Sequence, residues 1–105
     1  MNLNFTKKAI EDLEEIYHFL EQKNENAAVY LHNYILDEIE RLKTFPQMAP
    51  IEPLLADCSE TFRSLIIRKI HKVIYYIEDE TVNIVSIWDC RQNPDTMRNN
   101  INFLL

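Results

Sequence analysis

The chain has 105 residues, 47% of them hydrophobic, and a net charge of −6 at pH 7. That length suits one domain, residues 1–105, with a real core and no second one. No window approaches about 18 uninterrupted apolar residues, which excludes a membrane-spanning helix, and the acidic total excludes a general nucleic-acid binder held by phosphate attraction.

Asn2–Phe5 is expected to form a short edge strand, and Thr6 is placed to cap the helix that follows. From Lys7 to about Lys23 apolar residues recur at helical spacing: Ala9, Leu13, Ile16 and Leu20, with Ile10 and Tyr17 widening the stripe. The acidic run Glu11–Glu15 suits a solvated face near the positive end of the helix dipole. Asn26 is the expected cap of a second helix, from about Ala27 to Thr44, with the stripe Ala28, Leu31, Ile35, Ile39 and Leu42. Tyr30 and Tyr34 form a row beside it, and Asp37 and Arg41 have the spacing of a surface ion pair. Phe45-Pro46 ends this helix. So short a connection makes the two helices an antiparallel hairpin.

Gln47–Ser59 holds Pro50 and Pro53 and is expected to be ordered but irregular. Three strands follow: roughly Thr61–Arg68, Lys69–Glu78 and Thr81–Arg91, rich in β-branched and aromatic residues. Glu78-Asp79-Glu80 is the turn between the last two, and Asn93-Pro94 stops the third. Asp95–Leu105 is expected to form a short terminal helix, capped by Asn93 or Asp95, with Met97, Ile101 and Leu104 or Leu105 at docking spacing.

Strand parity separates two faces. His71, Val73, Tyr75 and Ile77 oppose Lys72, Ile74 and Tyr76; Val82, Ile84, Ser86 and Trp88 oppose Asn83, Val85, Ile87, Asp89 and Arg91. Both faces are substantially apolar. One packs on the hairpin; the other needs a cover, either the terminal helix or a partner peptide. The fold class is therefore α+β: an N-terminal antiparallel helical hairpin on a three- to four-stranded, mainly antiparallel sheet.

Glycine is absent. Phosphate-binding loops, dinucleotide fingerprints and nucleophile elbows are thereby ruled out, and turns fall to Asn, Asp and Pro. Cys58 and Cys90 make neither a disulfide framework nor a zinc cluster and suit reduced thiols. No cofactor or metal site is expected. The N-terminal stretch lacks an apolar secretory core, so a cytoplasmic setting is expected.

Charge is unevenly spread. Residues 1–57 hold 11 acids and 5 bases, whereas residues 58–105 hold 6 of each. Thr61–Ile77 carries Arg63, Arg68, Lys69, His71 and Lys72 and no acid. Such a strip can steer an acidic partner despite the global charge.

The β-α-α-β-β-β order resembles the RelE/ParE superfamily of bacterial type II toxins. The resemblance rests on FTKKAIEDLEEIYHFL, on IERLKTFP closing the second helix, on FRSLII and KVIYYI, and on a last strand ending IVSIWDCRQNP. It implies a toxin neutralised by a cognate antitoxin protein, with one of two activities. ParE-like members bind DNA gyrase; RelE-like members cut mRNA on the ribosome. Cutting RNA by its own 2′-hydroxyl needs a base, phosphate-holding cations and an acid. The residues matching that role are Arg63, His71, Lys72 and Arg91. Three features depart from the nuclease pattern: no Tyr or His follows Arg91, lysine stands where the nucleases carry arginine, and the pI is near 5.0. The DCRQNP ending is closer to the ParE-like branch, whose candidate target-binding residues here are Arg63, Arg68, Lys69, Lys72 and Arg91. A third expectation is a toxin-fold binding module without activity. Each cation also has a plainer role open to it: Arg63 as a structural arginine, His71 as a hydrogen-bonded one, Arg68 and Lys69 as solvated turn charges.

Overall fold

A computed structural model describes residues 1–104. Strand β1 (Asn2–Phe5) leads into helix α1 (Lys7–Glu21) and helix α2 (Glu25–Glu40). Thr6 caps α1 as expected, its hydroxyl accepting from the Ala9 amide at 3.2 Å. Asn24, not Asn26, caps α2, accepting from Ala27 N at 3.0 Å. The connection is thus tighter than the sequence suggests, because Glu25 and Asn26 already sit inside the helix. A 3₁₀ turn, Arg41–Lys43, tightens the end of α2. Arg41 pairs there with Glu38 at 2.8 Å, one residue along from the expected Asp37.

Strands β2 (Arg63–Ile67), β3 (His71–Glu78) and β4 (Thr81–Asp89) form an antiparallel meander. The N-terminal strand joins its far side in parallel, giving the order β1-β4-β3-β2. The sheet is therefore mixed, with β1 at the edge. Helix α3 (Asp95–Leu104) closes the described chain. Asn93 Oδ1 accepts from Asp95 N at 3.0 Å and starts it.

Two cores sandwich the sheet. On one face Ala9, Leu13, Ile35, Ile39 and Leu42 of the hairpin meet Ile67, Val73, Tyr75, Val82, Ile84 and Ile87. On the other, Met97 and Ile101 of α3 cover Phe62, Ile74, Val85 and Trp88, with Leu55 alongside. The second face thus finds its cover within the chain. The Leu104 side chain and Leu105, also expected to dock, lie outside the described residues. Each fully buried aliphatic contributes about 1.5–3 kcal/mol of transfer free energy.

Parity fails in one place. The register steps between Ile74 and Tyr75, which face Ser86 and Ile84, so Val85 has no partner. This β-bulge adds one residue to β4 and inverts its alternation from there on. Val82 and Ile84 share a face as expected, the one toward the hairpin, but Ile87 joins them there and Trp88 moves to the α3 side.

The turns also differ from the Asn/Asp/Pro expectation. Asp79 takes the left-handed region at φ 55°, as its type allows. Arg68 and Lys69 do so as well, at φ 52° and 66°. Without glycine in the chain, this hairpin forces two long side chains into a conformation costing about 1–2 kcal/mol each.

Candidate functional site

Asp12 belongs to the acidic run expected to be solvated, yet it is only 6% exposed. Its position explains this: it follows Ala9 by three residues and lies on the same inward stripe as Leu13 and Ile16. Its carboxylate serves the bulge. Oδ2 accepts from Ser86 Oγ and from Ile87 N, each at 2.9 Å, and Oδ1 pairs with Lys8 Nζ at 2.5 Å. Thr6 completes the repair, its amide donating to Ile84 O and its hydroxyl to Val85 O, both at 3.0 Å. One helix start therefore supplies the partners that β1 stops supplying after Phe5.

The candidate cations are mostly engaged. Arg63 lies on the hairpin face and donates from Nη1 to Ala49 O at 2.8 Å. Tyr75 Oη donates beside it to Pro46 O at 2.7 Å, so the two side chains hold the loop after α2. Lys72 points to the opposite face. Its Nζ lies 2.6 Å from Glu52 Oε1, and the Glu52 side chain is fully buried. Glu52 Oε2 accepts from Leu54 N at 3.1 Å, and its backbone N–H donates to Phe62 O. Arg91 grips Asp89 with two nitrogens, at 3.0 and 2.8 Å. This bidentate pair holds the Asp89 carboxyl at about 2, below the ordinary carboxylate range.

Arg68 lies over α2. Its guanidinium sits 4.9 Å from both the Tyr30 and Tyr34 ring centres, and Nη2 donates to Tyr30 Oη at 2.9 Å. Lys69, at the exposed tip, has no ion pair among the described residues.

His71 is 8% exposed and makes no side-chain hydrogen bond among the described residues. Burial pushes its pKa below the ordinary histidine value; Asp89 opposes that and Arg91 adds to it. No fully buried side-chain nitrogen or oxygen lacks a partner among the described residues. His71 lines a groove of about 550 Å³ between α1 and the last half of β4, and a smaller one beside Tyr30 and Arg68. Phe19 and Ile70, 55% and 41% exposed, form the apolar lips of the larger groove. Asp12, Ser86, Asp89 and Arg91 line its polar side.

The sequence-derived candidates do not converge. Arg63 and His71 share the hairpin face, Lys72 lies behind it, and Arg91 stands past the end of β4. The groove joins only His71 and Arg91 of the four nuclease candidates. Asp12 and Glu52 escaped the sequence reading. For Asp12 a signal existed, an acid on an apolar stripe. For Glu52 there was none, since an acid between prolines gives no hint of burial. Both cysteines are free thiols, and among the described residues no cluster of His, Cys, Asp and Glu could hold a metal ion. Among those residues no helix is long and apolar enough to cross a membrane.

A family model described as the ParE toxin of the parDE type II toxin–antitoxin system matches residues 3–94. No curated protein matches the chain. Among solved structures, the chain is similar to one of the chromosomal ParDE system of P. aeruginosa, with a TM-score of 0.68 and 21% identity over 85% of this chain and 95% of that one. A YoeB–YefM complex from Staphylococcus aureus gives a TM-score of 0.54 at 21% identity, over 83% and 93%. A YoeB dimer from the same organism gives 0.56 at 20%, over 83% and 93%. At these identities the structural likeness speaks for the fold alone.

Proposed function

Because this chain belongs to the ParE toxin family of type II toxin–antitoxin systems, we propose that it arrests growth by binding a protein target and that a cognate antitoxin neutralises it. The resemblance to ParE-like toxins makes that target DNA gyrase. The observation that carries the protein-binding reading is the engagement of the cations a nuclease would need. Arg63 serves a loop carbonyl, Lys72 a buried glutamate and Arg91 an adjacent aspartate. Transition-state stabilisation needs donors aimed at the developing charge and free to meet it. Here the donors point elsewhere and on different faces.

The cations left for docking a target are those of the β2–β3 tip: Lys69, and Arg68, which stacks on Tyr30 and Tyr34 but has no ion pair among the described residues. The antitoxin partner is supported by two structural neighbours that are toxin–antitoxin systems in their own right.

Pulse labelling tests the reading. The chain is induced in a bacterial host without antitoxin, and DNA and protein synthesis are followed minute by minute. DNA synthesis falling first, with a DNA-damage response, is the expected result. Protein synthesis falling first would overturn it in favour of a ribosome-dependent mRNA endonuclease. If neither falls while soluble protein accumulates, the chain is a binding module without toxicity.

A further inference from the structure

The β2–β3 turn is built against the usual preference. Its two left-handed positions hold Arg68 and Lys69, where asparagine and glycine would sit without strain. At the β3–β4 turn the same chain uses Asp79 for that conformation. Both tip side chains are exposed, and neither belongs to a core. Packing therefore gives no reason for the two cations, and backbone strain of this kind gathers at functional sites.

Their charge is also unmatched. Every other lysine and arginine is engaged among the described residues: Arg63 by a loop carbonyl, Lys23 by the Phe19 ring, the rest by carboxylates. Arg68 has no ion pair among those residues, yet its guanidinium is held in place. The Tyr30 and Tyr34 rings stack 6.2 Å apart, and the centre of each lies 4.9 Å from it. Aromatic rings fix a guanidinium without neutralising it. Tyr and Arg are enriched among interface anchors, and Tyr30 is itself exposed.

A free strand edge adjoins the tip. Strand β2 is the last of the sheet. Pro50–Glu52 covers its first half: Ser64 N donates to Pro50 O, and Glu52 N to Phe62 O. Backbone direction alternates along a strand, so Ile66 also turns its amide and carbonyl outward. Among the described residues nothing pairs with that edge of Ile66. Its side chain is 56% exposed. An acidic extended segment meets these features together. Its main chain pairs with Ile66, an apolar side chain covers the Ile66 side chain, and carboxylates meet Arg68 and Lys69. A nucleic acid would find two cations on a chain of net charge −6, too few for phosphate attraction to hold it.

We infer that the β2–β3 tip and the adjoining β2 edge form the target-docking site, and that its occupant is an acidic, extended segment of the target. The inference rests on the protein-target reading above and gives that contact its chemistry.

The test uses the full chain and the DNA gyrase holoenzyme. Arg68→Asn with Lys69→Gly builds the turn this backbone prefers. The double variant should raise Tm by about 4 °C, because the left-handed strain is gone. It should nevertheless bind gyrase at least about tenfold more weakly, the scale of a lost interface anchor. A gain in stability removes misfolding as the explanation. Lys69→Glu, which keeps the turn and reverses one charge, should weaken binding likewise. The control, Lys7→Glu, changes charge at the first residue of α1, whose opposite end lies by Arg68, and should bind as the parent does. Ile66 amide exchange, read by mass spectrometry, should slow on gyrase binding. Undiminished binding by the double variant overturns the site, even where that variant loses an antitoxin or a second copy of the chain. Tip-dependent binding to plasmid DNA alone overturns the acidic-segment chemistry in favour of phosphate contact. A parent chain that does not bind gyrase overturns the gyrase reading itself, and this docking site with it.

Discussion

Asp12 shows how one carboxylate can decide a fold's local geometry. It accepts from the Ile87 amide, the Ser86 hydroxyl and the Lys8 ammonium. Asp12→Ala strands the first two inside the protein, and each buried unpaired donor costs about 1–3 kcal/mol. The variant should lose about 2–4 kcal/mol of stability, read from the denaturant midpoint. Asp12→Asn keeps an acceptor oxygen and should lose distinctly less; equal losses would mean the charge, not the hydrogen bonds, does the stabilising. His71 makes a second case. Its folded pKa lies below the ordinary value of about 6.5 because burial disfavours the cation. The unfolded chain therefore binds the proton more readily, and folding stability must decline as pH falls from about 6.5 toward the folded pKa. The decline should flatten in His71→Gln, measured as Tm between pH 7 and pH 5. Asp89, which faces it, titrates at about 2, below that window.

At the scale of elements, a buried ion pair adds to the backbone and side-chain hydrogen bonds that hold the irregular segment between α2 and β2. Glu52 bridges the Lys72 ammonium and the Leu54 amide from a buried position. Truncating one member of a buried pair leaves the other uncompensated, at about 3–5 kcal/mol. Lys72→Ala should therefore destabilise the protein by about that much. The double variant Lys72→Met with Glu52→Leu should recover most of the loss in equilibrium unfolding. A Lys72→Ala protein as stable as the parent would show the pair to be superficial. Loss of toxicity in that single variant reports folding before it reports chemistry, and only the double variant separates the two.

The whole molecule is a sheet covered twice. The hairpin covers one face and α3 the other, where Met97 and Ile101 are each 1% exposed. Arg98 reinforces the second cover through its pair with Asp57. Ile101→Ala should cost about 2–5 kcal/mol, as large-to-small changes in packed cores do. Trp88 is the only tryptophan and is packed against the same core. Its fluorescence should therefore shift to the red in Ile101→Ala at denaturant concentrations where the parent is still folded, if α3 loosens on its own. Coincident fluorescence and circular dichroism transitions would instead make the two cores one cooperative unit.

Periodicity in the sequence determined the helical hairpin, the three-stranded meander, the edge-strand candidate at Asn2–Phe5 and the docking stripe Met97–Ile101. These follow from apolar spacings of 3.6 and 2, which are local properties of the chain. The family was legible for the same reason, as an order of local segments. Only tertiary structure decided the rest. The bulge at Val85 exchanged the faces of Ile87 and Trp88, because one unpaired residue inverts every side chain beyond it. The roles of Arg63, Lys72 and Arg91 turned on which acceptor stood within hydrogen-bond reach. Ala49 is near in space to Arg63, and Glu52 to Lys72, across loops whose path no periodicity encodes. The groove beside β4 is of the same kind, arising where β1 ends before β4 does.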